Sequence, residues 1–414
     1  MRLLARAIDT RPLRISTFRK LWMGTSLQAI GRQITVVAVL YQVWEMTHDS
    51  LWVGVIGLSY SIPTVVLGLI GGTLADAVDR RRLVLWTTLG ALIVSTFLAI
   101  QALFSFNSLA LLYALLLIQA AFTSLGGPAR RTFVSRILPK DQVGAGVALS
   151  HLSFQISMLV VPALAGLIIA GWGLTACFVV EALAFGAALY EIAGLPAIKP
   201  LAQTGRAGIQ AFGDGIRFIA RKPALLGSFL SDLSATLLAM PIALFPAMNE
   251  ERFDGSPETL GLFLSAIAVG GICASTASGA ITGSLRPGRV QLLAAAMWGA
   301  SLAMAGISIS LWSTLTFLAI AGAADTVAVI SRGTLLQLAT PDAYRGRVSS
   351  VEQIVGVGAP QLGNFRAGLM GSFSSPATTL AAGGVLCVLS IGAIALKNTH
   401  LRNFTLSDNT GKDE

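Results

Sequence analysis

The 414-residue chain is 54% hydrophobic and 12% charged, with 43 glycines and a formal net charge of +9. Soluble domains average about 45–50% apolar and about 25% charged residues, so half the usual charge leaves too little polar surface to meet water on every side. A soluble enzyme and a disordered chain are both excluded, and the positive balance points to nucleic acid only until its placement is considered.

A basic arm (Arg2, Arg6, Arg11, Arg14, Arg19, Lys20) opens the sequence without the short apolar core and small-residue cleavage site of a signal peptide. An uncleaved cytoplasmic arm is expected there. Apolar segments then run at approximately 20–45, 51–75, 83–105, 107–129, 143–170 and 173–195, each long enough for a bilayer span of roughly 17–25 residues. After a more polar stretch they resume at approximately 223–247, 257–283, 290–310, 312–336, 349–373 and 376–396. Turn chemistry separates them, as at His48-Asp49-Ser50, Phe106-Asn107-Ser108, Gly171-Trp172-Gly173 and Ser374-Ser375-Pro376. The predicted fold class is an all-α integral membrane protein with twelve transmembrane helices.

Of the 29 basic residues, 25 fall on one side of a twelve-span arrangement: in the arm, at Arg80–Arg82, between Arg130 and Lys140, between Lys199 and Lys222, and at Arg286, Arg289, Arg345, Arg347, Lys397, Arg402 and Lys412. The opposite loops hold one, Arg252, among Glu250, Glu251, Asp254 and Glu258. Positive-inside logic places both termini and the middle loop in the cytoplasm. The excess charge is topology, and no nucleic-acid partner is expected.

The halves are weakly self-similar. Gly71-Gly72-Thr73-Leu74-Ala75-Asp76 through Arg82 matches Ser278-Gly279-Ala280-Ile281-Thr282-Gly283 through Arg289, and Arg130, Pro139, Gly144 and Gly166 match Arg332, Pro341, Gly346 and Gly368. Two six-helix bundles in parallel repeat follow, residues 1–196 and 223–397, with a cytoplasmic linker at 197–222 and a tail at 398–414. Phe212, Ile216, Phe218 and Ile219 among basic residues make the linker either an amphipathic helix on the membrane surface or a plain tether.

Cys177, Cys273 and Cys387 lie far apart in apolar runs and suit small hydrophobes packed between helices, with no metal or disulfide spacing. His48, His151 and His400 form no metal pair, and there is no GxxxxGK[ST] loop for nucleotide. No cofactor is expected. Gly270-Ala274-Ser278 and Gly363-Ala367-Gly371 put small residues at four-residue spacing, which favours close helix packing.

Gly72-Thr73-Leu74-Ala75-Asp76-Ala77-Val78-Asp79-Arg80-Arg81-Arg82 resembles the signature loop between the second and third helices of the major facilitator superfamily, departing from it at Asp79 where glycine is usual. Leu335-Leu336-Gln337-Leu338-Ala339-Thr340-Pro341-Asp342 through Val348, and the layout of nearly the whole chain, are similar to the enterobactin-exporter branch of bacterial efflux permeases. Val161-Pro162-Ala163-Leu164-Ala165-Gly166 is an imperfect version of the motif exporters carry in the fifth span. The resemblance implies a cytoplasmic gate in which Asp76, with Gly72, Arg80 and Arg82, caps the start of the eleventh helix and latches the halves. That helix is expected to begin near Ser349-Ser350, whose free N–H groups favour a carboxylate. Ordinary loop charge is the alternative.

A charge in mid-membrane costs about 2.5–3.5 kcal/mol on insertion scales. Arg32, Asp232 and Asp325 fall mid-span, Gln119 joins them as a polar group, and Glu181 and Glu191 lie in the sixth span. The resemblance implies that helices one, four, seven and ten line a central cavity, and these carry Arg32, Gln119, Asp232 and Asp325. Either Asp232 or Asp325, ahead of Glu181, carries a proton with Arg32 as its counter-charge, or Arg32 forms a fixed salt bridge with an aspartate. Glu352 lies near the start of the eleventh span, and Arg332 and Arg366 are close enough to span ends to snorkel. The function implied is secondary active transport by alternating access: proton-driven export of a small amphipathic molecule such as a siderophore, from a monomer in the bacterial inner membrane. Multidrug or antibiotic efflux is the alternative, and a non-transporting membrane sensor or scaffold is the reading from a different class. A membrane enzyme lacks converging catalytic groups.

Overall fold

Apolar runs rich in leucine, alanine and isoleucine have to satisfy their own backbone hydrogen bonds where no water reaches, and the α-helix does so within one segment. The computed structural model describes residues 9–196, 209–276 and 286–405, apart from the side chains of Leu69, Gly72, Thr73, Ala75, Asp76, 209–211 and Ala343. Among the described residues there is no strand.

The long helices are α1 (Ser16–Thr47), α2 (Ser50–Ala77), α3 (Arg80–Leu103), α4 (Leu109–Arg131) and α5 (Val143–Ala193), then α6 (Ile209–Arg221), α7 (Pro223–Ala239) and α8 (Phe245–Arg252). They continue as α9 (Pro257–Thr276), α10 (Pro287–Ile307), α11 (Leu311–Ala339), α12 (Asp342–Gly371) and α13 (Pro376–Lys397). Among the described residues nine helical segments are long and apolar enough to cross a membrane. One of these holds α5, which Gly173 folds into two helices with a backbone φ of +75°. α1 and α12 are 32 and 30 residues long but carry more charge.

Packing divides the chain into two compact units: residues 1–42 with 62–208, and residues 43–61 with 209–414. In the first, α3 packs on α4 and α5. Leu21, Val84, Ala129, Phe133 and Ile192 form an apolar core there, with Phe18, Leu138 and Leu149 as a second cluster. In the second, α10 packs on α11 and α13, α9 on α11, and α7 on α12 and α13. Small residues set those approaches: a Cβ at Gly270 would strike the Ala319 carbonyl, and one at Gly363 the Thr236 carbonyl. The close packing expected of both small-residue series is present, with Ser278 outside the described residues.

Asp79 stands where the signature loop usually has glycine, and its carboxylate accepts the Arg82 N–H at 3.0 Å as the N-cap of α3. The linker is a helix, α6, and not a plain tether over 209–221. Its Ile219 is buried, Phe218 stacks on Tyr344 at 4.4 Å between ring centroids, and the Arg347 guanidinium lies 5.0 Å over the Tyr344 ring. α6 is thereby seated on the first turns of α12, within the second unit. Cys177 and Cys387 are buried as expected, whereas Cys273 is exposed on α9.

Candidate functional site

The first unit buries an uncharged–charged cluster built from three helices. Glu181 on α5 is 2% exposed, and one of its carboxylate oxygens accepts from Ser95 Oγ on α3 at 3.0 Å and from Gln119 Nε2 on α4 at 3.1 Å. Gln119 also donates to Ser95 Oγ at 2.9 Å, which closes the triangle. α1 comes close here because it presents Gly31, where a Cβ would lie 3.1 Å from the Glu181 Cα. Arg32, the next residue, is exposed and near enough to act on Glu181 electrostatically. One layer away, Gln42 and Gln101 exchange amide hydrogen bonds at 3.1 Å. Each buried polar atom in these groups meets a partner, as burial demands.

The second unit holds the other cluster. Arg332 on α11 is 7% exposed; its guanidinium contacts the Asp232 carboxylate on α7, and its Nε lies 3.9 Å from Glu352 on α12. Asp325 sits seven residues earlier on α11, hence on the same face, and is exposed while feeling both Asp232 and Arg332. A charged, accessible side chain half-way along a span is tolerable where water reaches it. Asp325 and Arg32 both have this character.

Asp232 pairs with Arg332 of the same unit, so Arg332 does not snorkel to a span end. Arg366 does not either: its guanidinium donates to the Leu238 carbonyl at 2.6 Å. That carbonyl is free because α7 ends at Ala239, leaving its last four carbonyls without an intrahelical donor, before a single turn at Ile242–Leu244 leads into α8. A cation against the last carbonyls of a helix is also favoured by the helix dipole. The break was visible as Met240-Pro241 inside the apolar run, and the need for a donor opposite it was the missed inference.

Of the residues expected to form a gate, Gly72 and Asp76 lie on α2 with side chains outside the described residues. Arg80 is 8% exposed and Arg82 is exposed. Their neighbour Arg81 reaches the last carbonyls of α5, donating to Ile192 at 3.3 Å and contacting Ala193. α12 begins at Asp342, so Ser349 and Ser350 are helix interior and offer no free N–H groups. Asp76 therefore meets no helix N-terminus at Ser349-Ser350. The repeat counterpart at 278–283 lies outside the described residues.

Residues 43–61 pack with the second unit, and their polar contacts were also missed. Trp44 Nε1 donates to Glu250 Oε2, and the same oxygen lies 3.1 Å from His48 Nδ1. His48 has φ +45° and meets the Trp44 ring edge-on at 5.7 Å. No group of histidine, cysteine and carboxylate side chains suited to a metal occurs among the described residues.

A family profile described as "Transmembrane secretion effector" matches residues 8–414. The chain is 26% identical over 381 residues to the enterobactin exporter EntS of Shigella flexneri, covering 92% of this chain and 90% of the relative. It is 27% identical over 387 residues to the enterobactin exporter EntS of Escherichia coli O1:K1 / APEC, covering 92% and 91%. Among solved structures it resembles the D323A mutant of the nucleoside transporter NupG, with a TM-score of 0.76 at 13% identity over 93% of this chain and 99% of the other. A bacterial homologue of the iron transporter ferroportin in its inward-facing state gives 0.71 at 16% identity over 94% and 99%. These two likenesses show the shared fold.

Proposed function

The chain belongs to the transmembrane secretion effector family of the major facilitator superfamily, and from that membership we propose that it exports a catecholate siderophore across the bacterial inner membrane by proton-coupled alternating access. It is a multi-pass membrane transporter and not an enzyme. The finer reading rests first on its similarity, over 92% of its length, to enterobactin exporters.

The observation that carries the coupling mechanism is the cluster around Arg332. Asp232, Glu352 and Asp325 place three carboxylates about one guanidinium, which leaves negative charge uncompensated at mid-membrane. A proton is the smallest cation able to balance it, and protonation of Asp232 would release Arg332 from its partner. Asp232 and Asp325 are therefore the proposed proton carriers, with Glu181 in the first unit as a further candidate. Arg32, exposed at mid-span beside Gln119 and Glu181, is the proposed contact for an acidic or catechol-bearing substrate. Gly72, Asp76, Arg80 and Arg82 are the proposed gate at the cytoplasmic end.

The test is transport into everted inner-membrane vesicles energised by a pH gradient. A catecholate siderophore should accumulate, and a protonophore should abolish the accumulation. If Asp232→Asn and Asp325→Asn each keep gradient-driven uptake, the proton role is lost. Uptake of a cationic dye without any uptake of the catecholate establishes multidrug efflux instead.

A further inference from the structure

The second unit contains a groove of about 390 Å³ that neither polar cluster uses, set between the first turns of α7 and the last turns of α13. One end is apolar, walled by Leu230, Ala393 and Ile394; the other carries Lys397 and His400. Its depth in the membrane follows from the spans themselves, because one begins at Pro223 and the other ends at Lys397. The apolar wall therefore faces acyl chains and the basic end lies at the level of headgroup phosphates.

The basic end is built, not a loose collection of side chains. Asn398 donates to the Pro223 carbonyl at 2.7 Å, and its Oδ1 accepts the Leu401 N–H at 2.9 Å, starting the helical turn Thr399–Arg402. Leu401 is fully buried, and Arg289 holds the same turn through the Arg402 carbonyl at 3.1 Å and Asn403 Oδ1 at 3.2 Å. The turn fixes His400 beside Lys397. Arg221, which ends α6, and Lys222 precede Pro223 in the chain, and no aspartate or glutamate occurs in residues 219–231 or 386–405. Among the described residues no ion pair engages Lys397 or His400, and both are exposed.

We propose that this groove binds one anionic phospholipid, with its phosphate against Lys397 and His400 and an acyl chain along Leu230, Ala393 and Ile394. Charge complementarity selects the occupant: a cationic rim with no acidic neighbour attracts an anionic headgroup, and an apolar wall at acyl depth excludes a purely water-soluble anion. Ser390, which lines the groove and pairs with Ser234 Oγ at 2.9 Å, marks its inner limit. A lipid held there would bridge the ends of two helices that the Asn398–Pro223 bond already joins.

The test is native mass spectrometry of the full chain, titrated separately with phosphatidylglycerol and phosphatidylcholine. The wild type should retain one phosphatidylglycerol about fivefold more strongly than phosphatidylcholine, the factor that one basic contact provides at an anionic surface. The Lys397→Ala/His400→Ala double variant should lose that preference. Ala393→Phe, which fills the acyl wall and keeps the charges, should lose retention of both lipids. Lys140→Ala, an exposed cation in the other unit, should behave as wild type. Equal retention of the two lipids by the wild type, an equal loss in Lys140→Ala, or displacement of the lipid by inorganic phosphate with Ala393→Phe unaffected would each overturn the proposal. Should the double variant fail to fold, Ala393→Phe decides alone.

Discussion

Arg332 holds its guanidinium against Asp232 at 7% exposure, where little water screens either charge. Removing one partner of such a pair strands the other and costs about 3–5 kcal/mol, whereas replacing both by apolar residues is often neutral. Asp232→Asn should therefore lower the melting temperature of the purified transporter and abolish transport. Asp232→Leu with Arg332→Met should restore the melting temperature and leave transport absent; restored transport would reduce the pair to scaffolding. In the first unit, Gln119→Leu removes two donations, to Glu181 and to Ser95, and should cost about 1–3 kcal/mol in denaturant or thermal unfolding. The positions of these charges were legible in the sequence, because a carboxylate in a long apolar run needs a reason. Their partners were not. Arg332 looked near enough to a span end to reach water, and its place opposite Asp232 follows from the packing of α11 against α7.

Helix by helix, the apolar runs and their breaks were readable because bilayer thickness and turn chemistry constrain them independently. Gly171-Trp172-Gly173 was read as a break, and Gly173 takes φ +75° with ψ 179° inside α5, a conformation in which a Cβ is strained by about 1–3 kcal/mol. Gly173→Ala should lower thermal stability by that amount, although no neighbouring atom obstructs a Cβ there; an unchanged melting temperature would show that the turn relaxes. The start of α12 was misplaced by seven residues. Asp342, Arg345 and Arg347 look like loop in a hydropathy reading, yet they form its polar opening turns and receive α6. Charged residues continue a helix beyond the hydrocarbon whenever another element packs on them, and that packing is invisible in a linear pattern. The break in α7 is the converse case: Pro241 was in view, but its effect depends on Arg366 being present to take the Leu238 carbonyl.

For the molecule as a transporter, the family could be read from one loop and the arrangement of spans, while the assignment of residues 43–61 to the second unit has no signature in the sequence. Packing of that segment rests on glycines and on Glu250, which receives Trp44 and His48. If the cytoplasmic gate operates through the signature loop, Asp76→Asn should lower transport several-fold at unchanged membrane abundance, measured by uptake and immunoblot on the same vesicles. Equal losses of both would assign Asp76 to folding.

The seating of α6 on α12 also bears on how the protein is made. Phe218 and Ile219 are synthesised 126 residues before Tyr344, against which Phe218 stacks. At roughly 5–20 residues per second the interval is about 6–25 s. Through that interval the ribosome has delivered the linker but not its dock, and an apolar helix face flanked by Arg217, Arg221 and Lys222 is of the kind that suits a lipid surface. The α6 face gains its packing partner only when α12 has been made, so the linker is the part of the second unit whose contacts form late.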